Sequence, residues 1–269
     1  TDFLIDLSAA TLDSVQLYRP NENGEYEVIT TGDAYVFSNR EFEDPNYVFN
    51  VNILPKQSST FFIKVKSNEA IQLPILFGKW QHIVYTIKNR DILSGIYAGI
   101  MLVMILYNLF VFFSVKDKSY LYYVIYITCI LLTQTTLQGY TFQYLWNETP
   151  FINKYSLIFL PSLSGITGMF FMNVFLKTST FSKRLYNTSF FLVVPYIIAY
   201  VISFIGEIGL GQVIVQLNST IISIYMLITP IIVLKKGFKP AKFFIVAWSV
   251  FLVGVLVFVL KDMEILPFN

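Results

Sequence analysis

Residues 93–115 read Leu93-Ser-Gly-Ile-Tyr-Ala-Gly-Ile-Met-Leu-Val-Met-Ile-Leu-Tyr-Asn-Leu-Phe-Val-Phe-Phe-Ser-Val115, a run without one charged side chain. A helix crossing a hydrocarbon core of about 30 Å needs roughly 20 apolar residues, so this stretch alone is long enough to span a membrane. Five further apolar runs follow, over residues 120–138, 155–176, 190–205, 213–234 and 243–260. Core helices of a large soluble protein would carry polar faces, and these runs have none. The fourth is the shortest and contains Pro195, which a membrane helix tolerates because neighbouring groups re-satisfy the freed carbonyl. Residues 89–269 are therefore expected to form a bundle with six spans.

Working outward, the first 88 residues have a different character. Runs rich in Val, Ile, Phe and Tyr occupy 3–7, 14–18, 26–30, 47–54, 61–66 and 71–77. Several alternate: Phe61, Ile63 and Val65 fall on one face, opposite Lys64 and Lys66, the period of a half-buried strand. The segment Pro20-Asn-Glu-Asn-Gly-Glu25 reads as a hairpin loop. Short strands at this spacing predict an antiparallel β-sandwich. Six strands is few for a closed sandwich, and Thr1 follows no initiator Met or signal-like stretch; the expectation is that further strands precede it.

The chain-wide average blurs this division. Apolar residues make up 55% and charged residues 13%, about half the usual charged share of roughly 25%. A net charge of +2 without a basic stripe gives no reason to expect a nucleic-acid partner. Cys129 is the only cysteine, so no disulfide can form within the sequence.

Loop charge sets an orientation. Lys116 and Lys118 follow the first run, Lys177, Lys183 and Arg184 the third, and Lys235, Lys236, Lys239 and Lys242 the fifth; only Lys154 and Lys261 follow the even-numbered runs. This positive-inside bias places the loops at 116–119, 177–187 and 235–242 in the cytoplasm and the β domain outside. Trp80, Tyr140, Tyr144 and Trp146 fall at outward-facing ends, where amphipathic rings anchor in the headgroups. Six crossings that start outside end outside, so a seventh span is expected after Asn269.

Three stretches occur in order: Gly95-Ile-Tyr-Ala-Gly-Ile-Met-Leu-Val-Met-Ile-Leu-Tyr-Asn-Leu-Phe110, then Lys116-Asp-Lys-Ser-Tyr-Leu-Tyr-Tyr123, then Gln138-Gly-Tyr-Thr-Phe-Gln-Tyr-Leu-Trp146. Together they resemble the bacterial seven-transmembrane receptors with diverse intracellular signalling modules. Asp13-Ser-Val-Gln-Leu-Tyr18, Thr31-Gly-Asp33, Phe37-Ser-Asn-Arg40 and Ile71-Gln-Leu-Pro-Ile75 likewise resemble that family's extracellular sensor module of the jelly-roll type. The resemblance implies signal transduction. An outer domain senses a ligand, and the helices of a multi-pass protein in the bacterial inner membrane pass its state to a cytoplasmic output module such as a histidine kinase or cyclase. A transporter or channel subunit with an accessory outer domain is the alternative, and a membrane anchor for an outer binding module is a third.

Residues suited to enzyme chemistry are scarce. None of the six runs has an Asp, Glu, Lys or Arg in its middle, whereas ion-coupled transporters and proton pumps keep such groups. His82 is the only histidine and is read as a solvated linker residue. No catalytic centre, metal or cofactor is expected. Tyr18, Tyr35, Phe37, Arg40 and Tyr47 are the candidate ligand-binding residues, a stacking surface for a small molecule such as a carbohydrate, with sheet and core positions as the competing reading. Asn108, Gln134, Gln138, Asn173 and Asn218, with Ser219 and Thr220, are the polar groups inside the runs; they serve as interhelical glue or line a relay. Gly95 and Gly99 form a small-xxx-small pair suited to a homodimer contact. Membrane lipid is the one partner the composition demands.

Overall fold

The computed structural model describes residues 2–21, 25–53, 58–67 and 73–250. Strands β1 (Asp2–Leu7), β2 (Ser14–Pro20), β3 (Tyr26–Thr31), β4 (Tyr47–Asn52), β5 (Phe62–Lys66) and β6 (Ile75–Lys79) form two antiparallel three-stranded sheets, ordered β4-β1-β6 and β3-β2-β5. The predicted ends at Leu54 and at residues 71–72 lie outside the described residues. Side chains alternate across each strand. Ile5, Leu7, Phe49, Val51, Val15 and Leu17 meet between the sheets, with Ile63 and Val65 of β5 packed against them. The opposite face of β1 and β4 is also covered: Leu4 and Val48 are buried with Ile83. Each such side chain removed from water contributes about 1.5–3 kcal/mol, so this contact fixes the sheet on the helix that carries Ile83.

That helix is α1 (Trp80–Val115), which starts directly at the end of β6. At 1.5 Å per residue its length is about 54 Å, well beyond a hydrocarbon core of about 30 Å. Its first turns therefore stand clear of the apolar run and reach the sheets. His82, placed in a linker by the sequence, is an exposed residue of these turns.

The chain continues through α2 (Lys118–Leu137), α3 (Tyr140–Tyr144), α4 (Pro150–Phe175), α5 (Thr178–Phe181), α6 (Lys183–Phe191), α7 (Val194–Phe204), α8 (Ile208–Lys235) and α9 (Ala241–Val250). Among the described residues five helical stretches are long and apolar enough to cross a membrane: Trp80–Val115, Lys118–Leu137, Pro150–Phe175, Lys183–Phe204 and Ile208–Lys235. The sixth predicted span begins as α9, and its remainder lies outside the described residues. The fourth is broken where α6 gives way to α7, with Pro195 in the first turn of α7. Proline has no N–H to give the preceding turn and its ring crowds the carbonyl four residues back. Asn218 repairs part of that break by donating Nδ2 to the Leu192 carbonyl at 3.0 Å.

The bundle core is made by α4, α7 and α8, where Met172, Tyr196, Ala199, Val215 and Met226 are buried. Close approach of α7 and α8 requires Gly211. A Cβ there would lie 2.0 Å from Ser203 Oγ and 3.0 Å from the Ala199 carbonyl oxygen.

Candidate functional site

The connection leading into β4 carries Arg40, whose guanidinium is almost wholly buried, with 3% of the side chain exposed. Its Nη2 donates to Asp33 Oδ1 at 3.2 Å. Nη1 points at three backbone carbonyls, those of Asp44 at 2.9 Å, Asn46 at 3.4 Å and Pro45. The rings of Phe37 and Tyr47 lie 4.5 and 4.4 Å from the guanidinium carbon, and Phe142 of α3 lies 5.6 Å away. Arginine suits this role because its rigid fork donates to several acceptors while its plane stacks on aromatic faces.

Asp33 gathers both halves of the molecule. The Tyr47 hydroxyl, 3.1 Å from Asp33 Oδ1, shares its proton with the Leu12 carbonyl at 2.9 Å. Burial holds the Tyr47 phenol well above its ordinary range, and the negative Asp33 beside it adds to the shift; that hydroxyl therefore stays a donor. On its other oxygen, Asp33 Oδ2 accepts from Asn153 Nδ2 of α4 at 2.9 Å. Asn153 in turn accepts from Trp146 Nε1 at 3.1 Å. One carboxylate thus meets side chains of both the β domain and the bundle.

A second bridge runs through Asp44. Its Oδ2 accepts from Arg90 Nη2 of α1 at 2.7 Å, while Oδ1 accepts from the Asn46 backbone N–H at 2.8 Å. Arg90 also reaches Asp91 Oδ1 at 3.1 Å, and Tyr140 of α3 donates its hydroxyl to the same oxygen at 2.7 Å. Backbone contacts seal the rest: Phe37 N–H donates to the Asn147 carbonyl at 2.8 Å, and Gln143 Nε2 to the Glu43 carbonyl at 3.0 Å. Gly139, at φ +81°, permits the turn into α3 and the closeness; a Cβ there would lie 2.9 Å from Ala10 Cβ. The arrangement joins the two domains: the carboxylates of Asp33 and Asp44 and both Nη atoms of Arg40 are engaged with one another's elements and with backbone, while Arg40 Nε and Gln143 Oε1 have no partner among the described residues.

The sequence-derived ligand residues separate accordingly. Phe37, Arg40 and Tyr47 come together, but inside this joint, where their ring faces and cation are occupied by protein. Tyr35 is half-buried nearby in sequence, and Tyr18 stands on β2, on the outer face of the other sheet. Tyr140 and Trp146, expected to anchor in headgroups, are hydrogen-bonded within the protein, while Trp80 and Tyr144 are exposed.

The intramembrane polar residues also scatter. Asn108 is buried and donates to the Met104 carbonyl of its own helix at 2.8 Å. Asn173 joins α4 to both neighbours: it donates to Ser189 Oγ at 2.8 Å and accepts from Thr178 Oγ1 at 2.6 Å. Ser219 pairs with the Tyr196 hydroxyl at 3.0 Å, and Thr220 bonds back to the Gln216 carbonyl. Gln134 and Gln138 are half-buried near the end of α2.

Asp33, Asp44, Arg90 and Asn153 were not singled out by sequence reasoning. The available signals were the Thr31-Gly-Asp33 stretch and an amide at the start of an otherwise apolar helix.

Residues 1–79 match the model of the family described as 7TMR-DISM extracellular 2. Residues 90–269 match that described as 7TM diverse intracellular signalling. No curated protein and no solved structure matches the chain. The buried joint therefore lies where an extracellular sensor-type domain meets its helical bundle, and the chain belongs to the 7TM diverse intracellular signalling family of receptor-like membrane proteins.

Proposed function

We propose that this chain is the sensing and membrane-spanning part of a signalling receptor in a bacterial inner membrane. A ligand bound by the outer β domain biases a two-state rearrangement of the helices, and the bundle relays it to a cytoplasmic output module. The observation that carries this reading is the joint at Asp33. A buried carboxylate shared between Arg40, Tyr47 and Asn153 cannot lose one partner cheaply, so movement of the sheets is transmitted to α4. The Asp44–Arg90 pair does the same for α1.

The ligand is a small molecule, and a carbohydrate fits the surface best. Tyr18, Val28 and Phe62 lie in register across β3, β2 and β5, pointing away from the core, and Tyr26 packs against Phe62 with ring centroids 5.5 Å apart. Tyr26, Val28 and Phe62 are exposed, and Gln16, Thr30 and Lys64 flank them. Aromatic faces beside amides and hydroxyls suit the apolar faces and hydroxyl rim of a sugar. The basic loops face the cytoplasm in this reading, and two copies pair through the Gly95 and Gly99 face of α1, where a Cβ would meet nothing within 4 Å.

The test uses the full-length receptor. Calorimetry against glycans and metabolites should identify a ligand whose binding is lost in Phe62→Ala and kept in Asn153→Leu, while output is lost in both. Ligand-driven output that survives Asn153→Leu together with Arg90→Ala would overturn the relay.

A further inference from the structure

At the end of the bundle away from the sheets, a cavity of about 500 Å³ opens between the α1, α2 and α4 ends and the α8–α9 connection. Its mouth carries Ser119, Asp117 and Lys177, and its depth carries Tyr123, Phe171 and Phe175. The same three aromatic residues line a second cavity of about 400 Å³, which continues inward between Met101, Ile130 and Trp248 and is walled almost entirely by apolar side chains. A third, of about 170 Å³, adjoins it through Ile130 and Trp248. The three share these walls in a passage-like series, from a polar, charged mouth to a mainly apolar interior whose last part carries the hydroxyls of Thr133, Ser164, Ser219 and Ser223.

Two features decide what fits. The first is length. From Ser119 to Ile130 the α2 wall rises about 17 Å at 1.5 Å per residue, close to half of a hydrocarbon core of about 30 Å. One acyl chain of a lipid in a single leaflet covers that depth. The second is charge. Lys177 lines the mouth, and Lys116 and Lys239 in the adjoining connections and Lys118 and Lys242 in the first turns of α2 and α9 are exposed, against the carboxylate of Asp117. Asp117 caps α2, accepting from the backbone N–H and hydroxyl of Ser119, each at 2.8 Å, and its negative charge offsets part of that of Lys177, leaving the other lysines in excess. The net field at the mouth is positive, and basic pockets between helices on the cytoplasmic side attract phosphate headgroups.

We infer that this passage is a binding site for an anionic phospholipid, its phosphate at Lys177 and one acyl chain along Tyr123, Phe171 and Phe175. The site itself shares only the orientation with the sensing reading above, whereas its effect on output rests on that reading. Occupancy would wedge the α1, α2 and α4 ends against α9, the place from which a membrane signal leaves the bundle, so lipid composition would tune the receptor.

Photocrosslinking on the full-length protein tests it. Phosphatidylglycerol carrying a diazirine near the end of one acyl chain is incorporated in both leaflets of vesicles, so capture does not depend on orientation; loop labelling reads the topology separately. Crosslinks are expected on the peptides around Ile127 and Ile130 and around Trp248, at the depth that the chain end reaches. Capture should exceed that of the matching phosphatidylcholine about fivefold per engaged cation, the factor that roughly 1 kcal/mol per lysine represents. Lys177→Glu should remove that preference. Met101→Trp with Ala247→Trp should block the interior while the lipid-facing Phe110, 70% exposed, stays labelled, which also reports that the variant is folded. Labelling confined to outward residues such as Phe110, as when protein fills the passage, would overturn the site. Equal capture of both lipids, or of a diazirine fatty acid in place of the phospholipid, would overturn the phosphate headgroup.

Discussion

Asn153 donates its side-chain amide to Asp33 Oδ2 at 2.9 Å, across 120 residues of sequence. It is a direct side-chain bond between the buried carboxylate of the sheets and the bundle. Removing it with Asn153→Leu leaves a buried acceptor without that donor, which costs about 1–3 kcal/mol. The β domain keeps its own core, so the loss should appear as opening of the joint. Hydrogen exchange should rise at residues 139–147 while the amides of β1 and β4 stay protected. Unchanged exchange at 139–147 would mean that the joint is held by other contacts.

Arg40 and Asp33 form a buried pair, with 3% and 8% of their side chains exposed. Breaking one partner of such a pair costs about 3–5 kcal/mol, because the other charge stays buried and uncompensated. Arg40→Met should therefore destabilise strongly in thermal unfolding of the detergent-solubilised protein. Adding Asp33→Asn to it removes the orphaned charge and should recover part of the loss. A double variant as destabilised as the sum of the two singles would show that the pair does not couple.

Asp6 offers a test by pH. It is buried on β1, its Oδ2 accepts from Ser8 Oγ at 3.1 Å, and Oδ1 has no partner among the described residues. Burial raises its carboxyl above the ordinary 3.8, Asp44 adds to the rise, and the Ser8 bond and Arg90 oppose it. A raised carboxyl favours the folded state when protonated, so this stabilising term is complete below 3.8 and is lost as pH rises through the folded value. Asp6→Asn, which keeps the shape without the charge, should be more stable than the native chain at neutral pH. That advantage should shrink on acidification and vanish below about 3.8. An advantage independent of pH would show that the charge is not its source.

The sandwich and the spans were legible because their signals are local. Ile63 and Val65 face the core and Lys64 and Lys66 face water, as their alternation requires, and the apolar runs announce helices by length alone. The joint was not legible, for a physical reason. Phe37, Arg40 and Tyr47 were noticed as aromatic and cationic residues, but that composition serves a sugar platform and a sealed cation–π core equally well. What decides between them is the cover, supplied by Phe142 and Asn153 from the other domain, far later in the sequence. The polar first turns of α1 escaped notice similarly, because hydropathy sees the part of a helix inside lipid and is blind to its continuation into the sheets. The break at Leu192 depends on Asn218 coming from another helix to take up a carbonyl.

Glycines give the last prediction, because the chain holds them in two opposite settings. At Gly211 a Cβ would fall 2.0 Å from Ser203 Oγ and 3.0 Å from the Ala199 carbonyl oxygen. The hydroxyl can rotate away only by giving up its own 2.7 Å bond to that same carbonyl. Gly211→Ala should therefore push α7 from α8 and destabilise the bundle by about 1–3 kcal/mol, the usual range for overpacking. Ser203→Ala in the same chain removes the first clash and leaves the second, so it should restore part of the stability. Gly95 and Gly99 are the contrast, since a Cβ at either meets nothing within 4 Å among the described residues. Alanine at both should leave the monomer's unfolding within about 0.5 kcal/mol of the native value, as for surface sites, or raise it slightly through the better helix propensity of alanine. Thermal unfolding in detergent, with size-exclusion chromatography to read the association state, separates the cases. Destabilisation by Gly95→Ala and Gly99→Ala in a monomer, or none by Gly211→Ala, would contradict the packing of α1, α7 and α8 described above.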